Sequence, residues 1–180
     1  MRALYCRNFG PIDDLVVADI PMPEPAAGQV LIDVKAASLN FPDALTVQGR
    51  YQVKPPTPFV PGAEYAGVVR SLGAGVTHVA VGDRVMAFTG TGGFAEQAVA
   101  DAIRVAPMPP TMSFEQGAAF VLTYATSHHA LKDVAQLRAG ETLLVLGASG
   151  GVGTAAIQLA KIVGATVIAV GRSPAKLAVV

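Results

Sequence analysis

The chain has 180 residues, 52% of them hydrophobic, and its 13 basic and 13 acidic side chains cancel to zero formal charge with a pI near 6.8. That is enough apolar material for one large or two small globular domains, and there is no basic surplus to gather nucleic acid or to hold an anionic membrane. A single cysteine, Cys6, forbids an intrachain disulfide and any multi-cysteine zinc site.

The N-terminus, MRALYCRNFG, carries two arginines and no uninterrupted apolar stretch, so it does not read as a secretory signal. No apolar run reaches the roughly 18 residues needed to cross a bilayer, which makes a cytoplasmic setting the default expectation. From Met1 to about Pro110 the sequence is a series of short β-type runs: LVVADI, QVLIDVKAA, AGVVRSL, DRVMAF, AEQAVA and IRVAP. Punctuated by Gly and Pro, these predict a compact β barrel or sandwich. The Pro-rich pieces PMPEP and KPPTPFVPG read as surface loops, because proline cannot serve a central ladder.

After Pro110 the pattern changes. Ser113 followed three residues later by Gln116 has the form of a capping box, and the apolar segment after it predicts a helix to about Leu131. Next come a strand over 142–146, a helix over 151–163 and a strand over 166–170, with Gly164 where a helix C-cap belongs. Val152, Ala156, Leu159 and Val163 fall on one stripe of that helix. Both strands are apolar throughout, as parallel strands covered on both faces should be. The domains expected are therefore 1–112, all β, and 113–180, a helix followed by a βαβ unit.

Between the first of these strands and its helix lies GASGGVG, Gly147 to Gly153. A glycine turn in that position suits a dinucleotide diphosphate: Gly150 for the tight turn, Gly151 for close main-chain approach, Gly153 for packing of helix on strand, and the helix N-terminus for its free N–H groups. Ala148 stands where the strict GxGxxG pattern has its first glycine. The phosphate-loop pattern fails, since Thr154 and not lysine follows Gly153. Taken alone, such glycines could simply turn the chain. At the end of the second strand, where an NAD site normally has Asp or Glu, the sequence has Gly171, Arg172 and Ser173, with Lys176 beyond. A carboxylate would repel a 2′-phosphate and a guanidinium can grip one, so NADPH is favoured over NADH; a solvated helix start is the competing explanation for Arg172 and Lys176. The cofactor-binding set read from this unit is Ser149, Gly150, Gly151, Val152, Gly171, Arg172, Ser173 and Lys176.

With those residues in hand, the chain resembles the medium-chain dehydrogenase/reductase superfamily and, within it, the zinc-free quinone oxidoreductases related to zeta-crystallin. The matching pieces are NFPD (40–43), FVPGAEYAGVV (59–69), VGDRV (81–85), GGFAEQAV (92–99), the Thr126 region and GASGGVG. The resemblance implies an α/β protein, a GroES-like β-barrel domain with the substrate and catalytic groups followed by a Rossmann domain, of which this chain holds the interdomain helix and the first βαβ unit. It further implies NADPH as cofactor, the remainder of the Rossmann sheet in a longer chain, a homodimer for that full-length protein, and no activity for this segment alone. In zinc-dependent relatives a cysteine takes the place of Asn40, a histidine that of Ala63, a second cysteine falls near Leu122, and a four-cysteine lobe follows Gly90. None of these ligands is present, and Glu64 alone cannot make a site that wants N or S donors. His78, His128 and His129 lack cysteine partners and suit ordinary polar roles.

Loss of zinc removes a Lewis acid. The resemblance then implies hydride transfer from NADPH to acceptors that spread charge easily, quinones and α,β-unsaturated carbonyls, with the protein positioning the rings and donating hydrogen bonds to the developing oxygen. It places Asn40 near the nicotinamide and its ribose, Tyr51 at the substrate mouth and Thr126 against the cofactor. Asn40 could equally be a loop residue capping the next turn, Tyr51 ordinary packing, and Thr126 a helical threonine bonding its own backbone. Leu45 departs from a family tyrosine, so solvent can be the proton source. Two rival functions stay open: an enoyl-thioester reductase of the same superfamily, and a non-catalytic, crystallin-like NADPH-binding protein.

Overall fold

The structure, a computed structural model, describes residues 1–179, and the chain divides into two compact units, Met1–Ala119 and Phe120–Val180. The first is built on a five-stranded antiparallel sheet in the order β6-β3-β4-β5-β7, from β3 (Gln29–Ser38), β4 (Glu64–Leu72), β5 (Arg84–Phe88), β6 (Gln97–Asp101) and β7 (Val105–Pro107). A two-stranded ribbon, β1 (Arg2–Tyr5) with β2 (Val16–Asp19), is tied to it through an antiparallel bridge between Ala3 and Ala95. The runs read as strands in the sequence are all represented, whereas β1 was not foreseen: four residues, RALY, are too short to show a period.

Alternation along these strands makes the core. Val30 and Ile32 of β3, Tyr65 and Val69 of β4, Val85 and Ala87 of β5, and Ala98 and Ala100 of β6 point to one face and close into a single buried cluster, as the two-residue period of a pleated strand requires. At its centre Tyr65 is fully buried and its hydroxyl has no hydrogen-bond partner. Burial pushes that phenol up to about 12, with Thr89 nearby pulling weakly the other way.

The short helix α1 (Phe41–Val47) follows β3 and was also not foreseen. Its first turn is set by Asp43, whose Oδ2 accepts from the Asn40 N–H at 2.7 Å while its Oδ1 accepts from the Ala63 N–H at 2.9 Å. One buried carboxylate thus fixes both the start of α1 and the entry to β4. Burial raises the Asp43 pKa above its ordinary value, although the backbone N–H groups of Asn40, Ala63 and Gly62 oppose the shift.

The unit boundary falls after Ala119, not after Met112. The reason is the helix that begins at Ser113. Its capping box is present, with Ser113 Oγ accepting from Gln116 N–H at 3.2 Å and Gln116 Oε1 accepting from Ser113 N–H at 2.9 Å. But α2 (Phe114–Ala118) ends after five residues, and Ala118 packs with Ala66 and Met108 of the β unit. Arg84 reinforces this docking by donating to the Pro110 and Met112 carbonyls, at 2.9 and 2.5 Å, with its guanidinium over the Phe114 ring. The helix expected to run to Leu131 is therefore broken. A separate α3 (Val121–His128) starts the second unit and continues as a π-type turn over His129–Val134, where His129 Nδ1 pairs with Asp133.

The second unit is the expected βαβ: β8 (Thr142–Leu146), α4 (Gly151–Val163) and β9 (Thr166–Val170), with β8 and β9 parallel and in register from Thr142–Thr166 to Leu146–Val170. Gly164 caps α4 in the left-handed region, φ 88°. One expectation needs correction. The face of α4 that is buried carries Ala155, Ile157 and Ala160, while Val152 and Val163 are exposed; GVGTAAIQLAKIV is apolar nearly all round, so its periodicity selects no face. The strands are covered on one side only, as expected of two parallel strands with a single crossover. Val145 is buried with Ile157 and Ala148, whereas Leu146 is 73% and Ile168 51% exposed on the opposite face, because α4 lies on one side only. A short α5 (Pro174–Leu177) follows β9, with Ser173 as its N-cap.

Candidate functional site

Two clusters gather the residues singled out by sequence, one in each unit. In the second unit the turn GASGGVG joins β8 to α4. Gly147 leaves the strand at φ 72°, a conformation that other residues rarely adopt. Its N–H and that of Ala148 both donate to the Val170 carbonyl, which pins the turn to the end of β9. Ala148, the departure from the strict glycine pattern, is fully buried beneath the turn.

Gly153 has the tightest surroundings. A Cβ there would lie 2.7 Å from the carbonyl oxygens of Gly147 and Ala148, so only glycine lets the first turn of α4 sit this close to the strand end. Gly150 is different from what the sequence suggested. It is the N-cap of α4 with φ −83°, and a Cβ would meet the Gly147 carbonyl only at an ordinary 3.5 Å. The glycine that makes the tight turn is Gly147. Above the turn, Ser149, Gly150, Gly151 and Val152 are all exposed, and the first N–H groups of α4 have no partner within the helix. An exposed main chain at the N-terminus of a thirteen-residue helix fits a diphosphate.

Around it, α3 packs on α4. Ser127 is buried and donates to the Val152 carbonyl at 2.9 Å, Thr123 Cγ2 lies 3.0 Å from where a Cβ on Gly151 would be, and the Tyr124 hydroxyl bonds Gln158. Thr126 is exposed on the same helix. At the end of β9, Gly171 lies under the Leu177 side chain. Arg172 and Lys176 are exposed on either side of the half-buried Ser173, whose Oγ accepts from Lys176 N–H at 3.4 Å. These cations and the glycine turn stand at the same end of the parallel strand pair, where ligands of open α/β sheets bind.

In the first unit the organising side chain is Asn40, between β3 and α1. Its Nδ2 lies 2.8 Å from Ser38 Oγ and 3.4 Å from Glu64 Oε2, and Ser38 Oγ donates to the same Glu64 oxygen at 3.0 Å. Glu64 is completely buried. Sequence reasoning set Glu64 aside and passed over Ser38 and Asp43; a carboxylate inside an otherwise apolar strand, GAEYAGVV, was the signal available. Beside this network lies a cavity of about 360 Å³ whose wall is almost wholly apolar, with Leu4, Leu15, Val47 and Phe94 among its lining residues and Asn40 and Asp43 its polar ones. Tyr51 is half-buried in the bend after α1 and does not line this cavity. Among the described residues, no three His, Cys, Asp or Glu side chains come together as metal ligands would, and no helix is long and apolar enough to cross a membrane.

An antiparallel β unit followed by strand, glycine turn, helix and parallel strand is the architecture of a medium-chain dehydrogenase/reductase. Residues 26–110 match the model of the alcohol dehydrogenase GroES-like domain. Over 170 residues the chain is 42% identical to a quinone oxidoreductase of Rattus norvegicus, covering 93% of this chain and 52% of that protein. A quinone oxidoreductase from Thermus thermophilus, solved also as its NADPH complex, superposes with a TM-score of 0.85 at 37% identity, over 98% of this chain and 55% of that one. The enoyl reductase CurK superposes with a TM-score of 0.89 at 30% identity, over 99% of this chain and 56% of that one. The chain thus belongs to the medium-chain dehydrogenase/reductase superfamily, in its quinone oxidoreductase family, and spans about half the length of the curated relative described above.

Proposed function

We propose that this chain carries the dinucleotide turn and the acceptor-side groups of a zinc-independent, NADPH-dependent reductase of quinones or α,β-unsaturated carbonyls. The observation that carries the reading is the turn at Gly147–Gly153, exposed main chain at a helix N-terminus held against the strand end by a glycine whose replacement would force the two apart. Main-chain N–H groups of Gly151 and Val152 hold the diphosphate, with the Ser149 hydroxyl beside them. Arg172 and Lys176 face the adenosine 2′-phosphate, and no acidic side chain stands at 171–173 to repel it. The family resemblance assigns Asn40 to the nicotinamide and its ribose, and Thr126 to a cofactor contact. When bound, NADPH supplies the hydride.

The acceptor side is apolar. The cavity next to Asn40 suits a ring or unsaturated chain better than a charged substrate; Tyr51, which does not line it, is assigned to the substrate mouth on the family resemblance alone. Asn40, Ala63 and Leu122 occupy the positions at which zinc-dependent relatives carry ligands, which favours acceptors that delocalise charge without a Lewis acid. The reading brings with it a cytoplasmic setting and a homodimer for the whole protein. The superposition on CurK keeps an enoyl-thioester acceptor as a second reading.

The test is NADPH consumption by the whole protein with small benzoquinones, with enones and with acyl-CoA enoyl thioesters. Turnover of quinones or enones supports the proposal, and turnover of thioesters alone transfers it to the second reading. NADPH that raises thermal stability while no acceptor is consumed would instead mark a non-catalytic nucleotide binder.

A further inference from the structure

The network under Asn40 determines which end of its amide is available. Oxygen and nitrogen of an asparagine amide have nearly the same shape, so the orientation must come from the partners. Glu64 Oε2 lies within hydrogen-bond distance of two groups, Ser38 Oγ at 3.0 Å and Asn40 Nδ2 at 3.4 Å, and a carboxylate only accepts. Ser38 must therefore give its single proton to Glu64, which leaves Ser38 Oγ as an acceptor for Asn40 Nδ2 at 2.8 Å. The opposite orientation would set Asn40 Oδ1 against a buried carboxylate oxygen and against a hydroxyl whose proton is already committed. Unpaired acceptors facing each other away from water are costly. The backbone of Asn40 is held independently, since its N–H donates to Asp43 Oδ2 at 2.7 Å and the other Asp43 oxygen holds the N–H of Ala63, the residue preceding Glu64.

We infer that Ser38 and Glu64 are positioning residues for Asn40: they engage both of its amide protons and leave Oδ1, one side of which faces the Asp43 N–H in the α1 capping box, with its other lone pair for a ligand. Asn40 is then a hydrogen-bond acceptor. Its partner is a donor, a hydroxyl or carboxamide N–H, and the negative oxygen that develops on a reduced carbonyl is stabilised elsewhere. The identity of that donor as part of NADPH rests on the function proposed above; the amide orientation does not.

Two measurements on the whole protein test this. In the first, NADPH dissociation constants are compared for the wild type, Asn40→Ala, Glu64→Gln, Ser38→Ala and the double variants. Asn40→Ala should weaken binding about tenfold, and each positioning variant about threefold to tenfold, the scale of one lost hydrogen bond. In the Asn40→Ala background neither Glu64→Gln nor Ser38→Ala should weaken it further, whereas a merely structural role would cost affinity in both backgrounds. Ser38→Ala, the smaller change, decides the matter if Glu64→Gln does not fold. In the second, hydrogen exchange of the Asn40 side-chain amide is followed without cofactor. Both protons should be protected in the wild type and released in Ser38→Ala. Losses that multiply in the double variants, or an unprotected wild-type amide, would overturn the inference. If the wild type binds no NADPH, the functional reading fails and the exchange measurement alone decides the orientation.

Discussion

Gly153 and Gly150 are three residues apart in one turn, and the geometry predicts opposite tolerance. In Gly153→Ala the new Cβ would stand 2.7 Å from two carbonyl oxygens and 2.8 Å from the Ala148 Cα, all main-chain atoms. Restoring ordinary contact at 3.4 Å requires a displacement of roughly 0.7 Å between the first turn of α4 and the strand end, and overpacking of this kind costs about 1–3 kcal/mol. Three backbone contacts at once call for the upper end of that range, and the helix propensity of alanine returns up to about 1 kcal/mol. A net loss of about 2 kcal/mol remains, which for a chain of this size lowers the melting temperature by roughly 4–8 °C. Gly150→Ala meets its nearest atom at 3.5 Å with φ −83°, and should stay within about 0.5 kcal/mol of wild type. Thermal and urea unfolding followed by circular dichroism measures both. Equal stability of wild type and Gly153→Ala, or equal damage from the two substitutions, would refute the claim that the glycines of this turn have different duties.

Three more outcomes can be checked alongside. Arg172→Ala should lose roughly 1–3 kcal/mol of NADPH affinity and little NADH affinity, as titrations of both nucleotides would show; equal losses would make Arg172 a solvated side chain. Tyr65 has a folded pKa raised from 10.0 to about 12 by burial, so its contribution is complete below pH 10 and is lost as pH rises towards 12, a decline on the order of 3 kcal/mol. Because its contact with Thr89 falls short of a well-formed hydrogen bond, Tyr65→Phe should be neutral or slightly stabilising near pH 7 and should flatten that alkaline decline in urea unfolding. Arg84→Ala strands the Pro110 and Met112 carbonyls and uncovers Phe114, and should cost about 1–3 kcal/mol with faster proteolysis between Met108 and Phe114.

The βαβ unit was legible because its signals are local: apolar strands, a glycine turn, a C-cap glycine and a basic residue just beyond β9 all sit within thirty consecutive residues, 143–172. Which glycine did what was not legible, since Gly147 and Gly153 owe their roles to a close approach between segments and to one dihedral. The Asn40 network was hidden for a related reason. Ser38, Asp43 and Glu64 converge across β3, α1 and β4 through bonds that span up to 26 positions, and nothing local marks a serine in a strand as the partner of a glutamate in another. The break at Ala119 was missed because a good capping box announces where a helix begins, not how long it lasts.

The most direct measurement of the central claim is a ¹H–¹⁵N titration of the protein with NADPH. Main-chain amides from Ser149 to Val152 and the Arg172 side chain should shift together with one dissociation constant, and NADP-free buffer phosphate should reproduce little of the change. Saturating NADPH that leaves those amides unmoved while others respond would contradict the assignment of this turn as the diphosphate site.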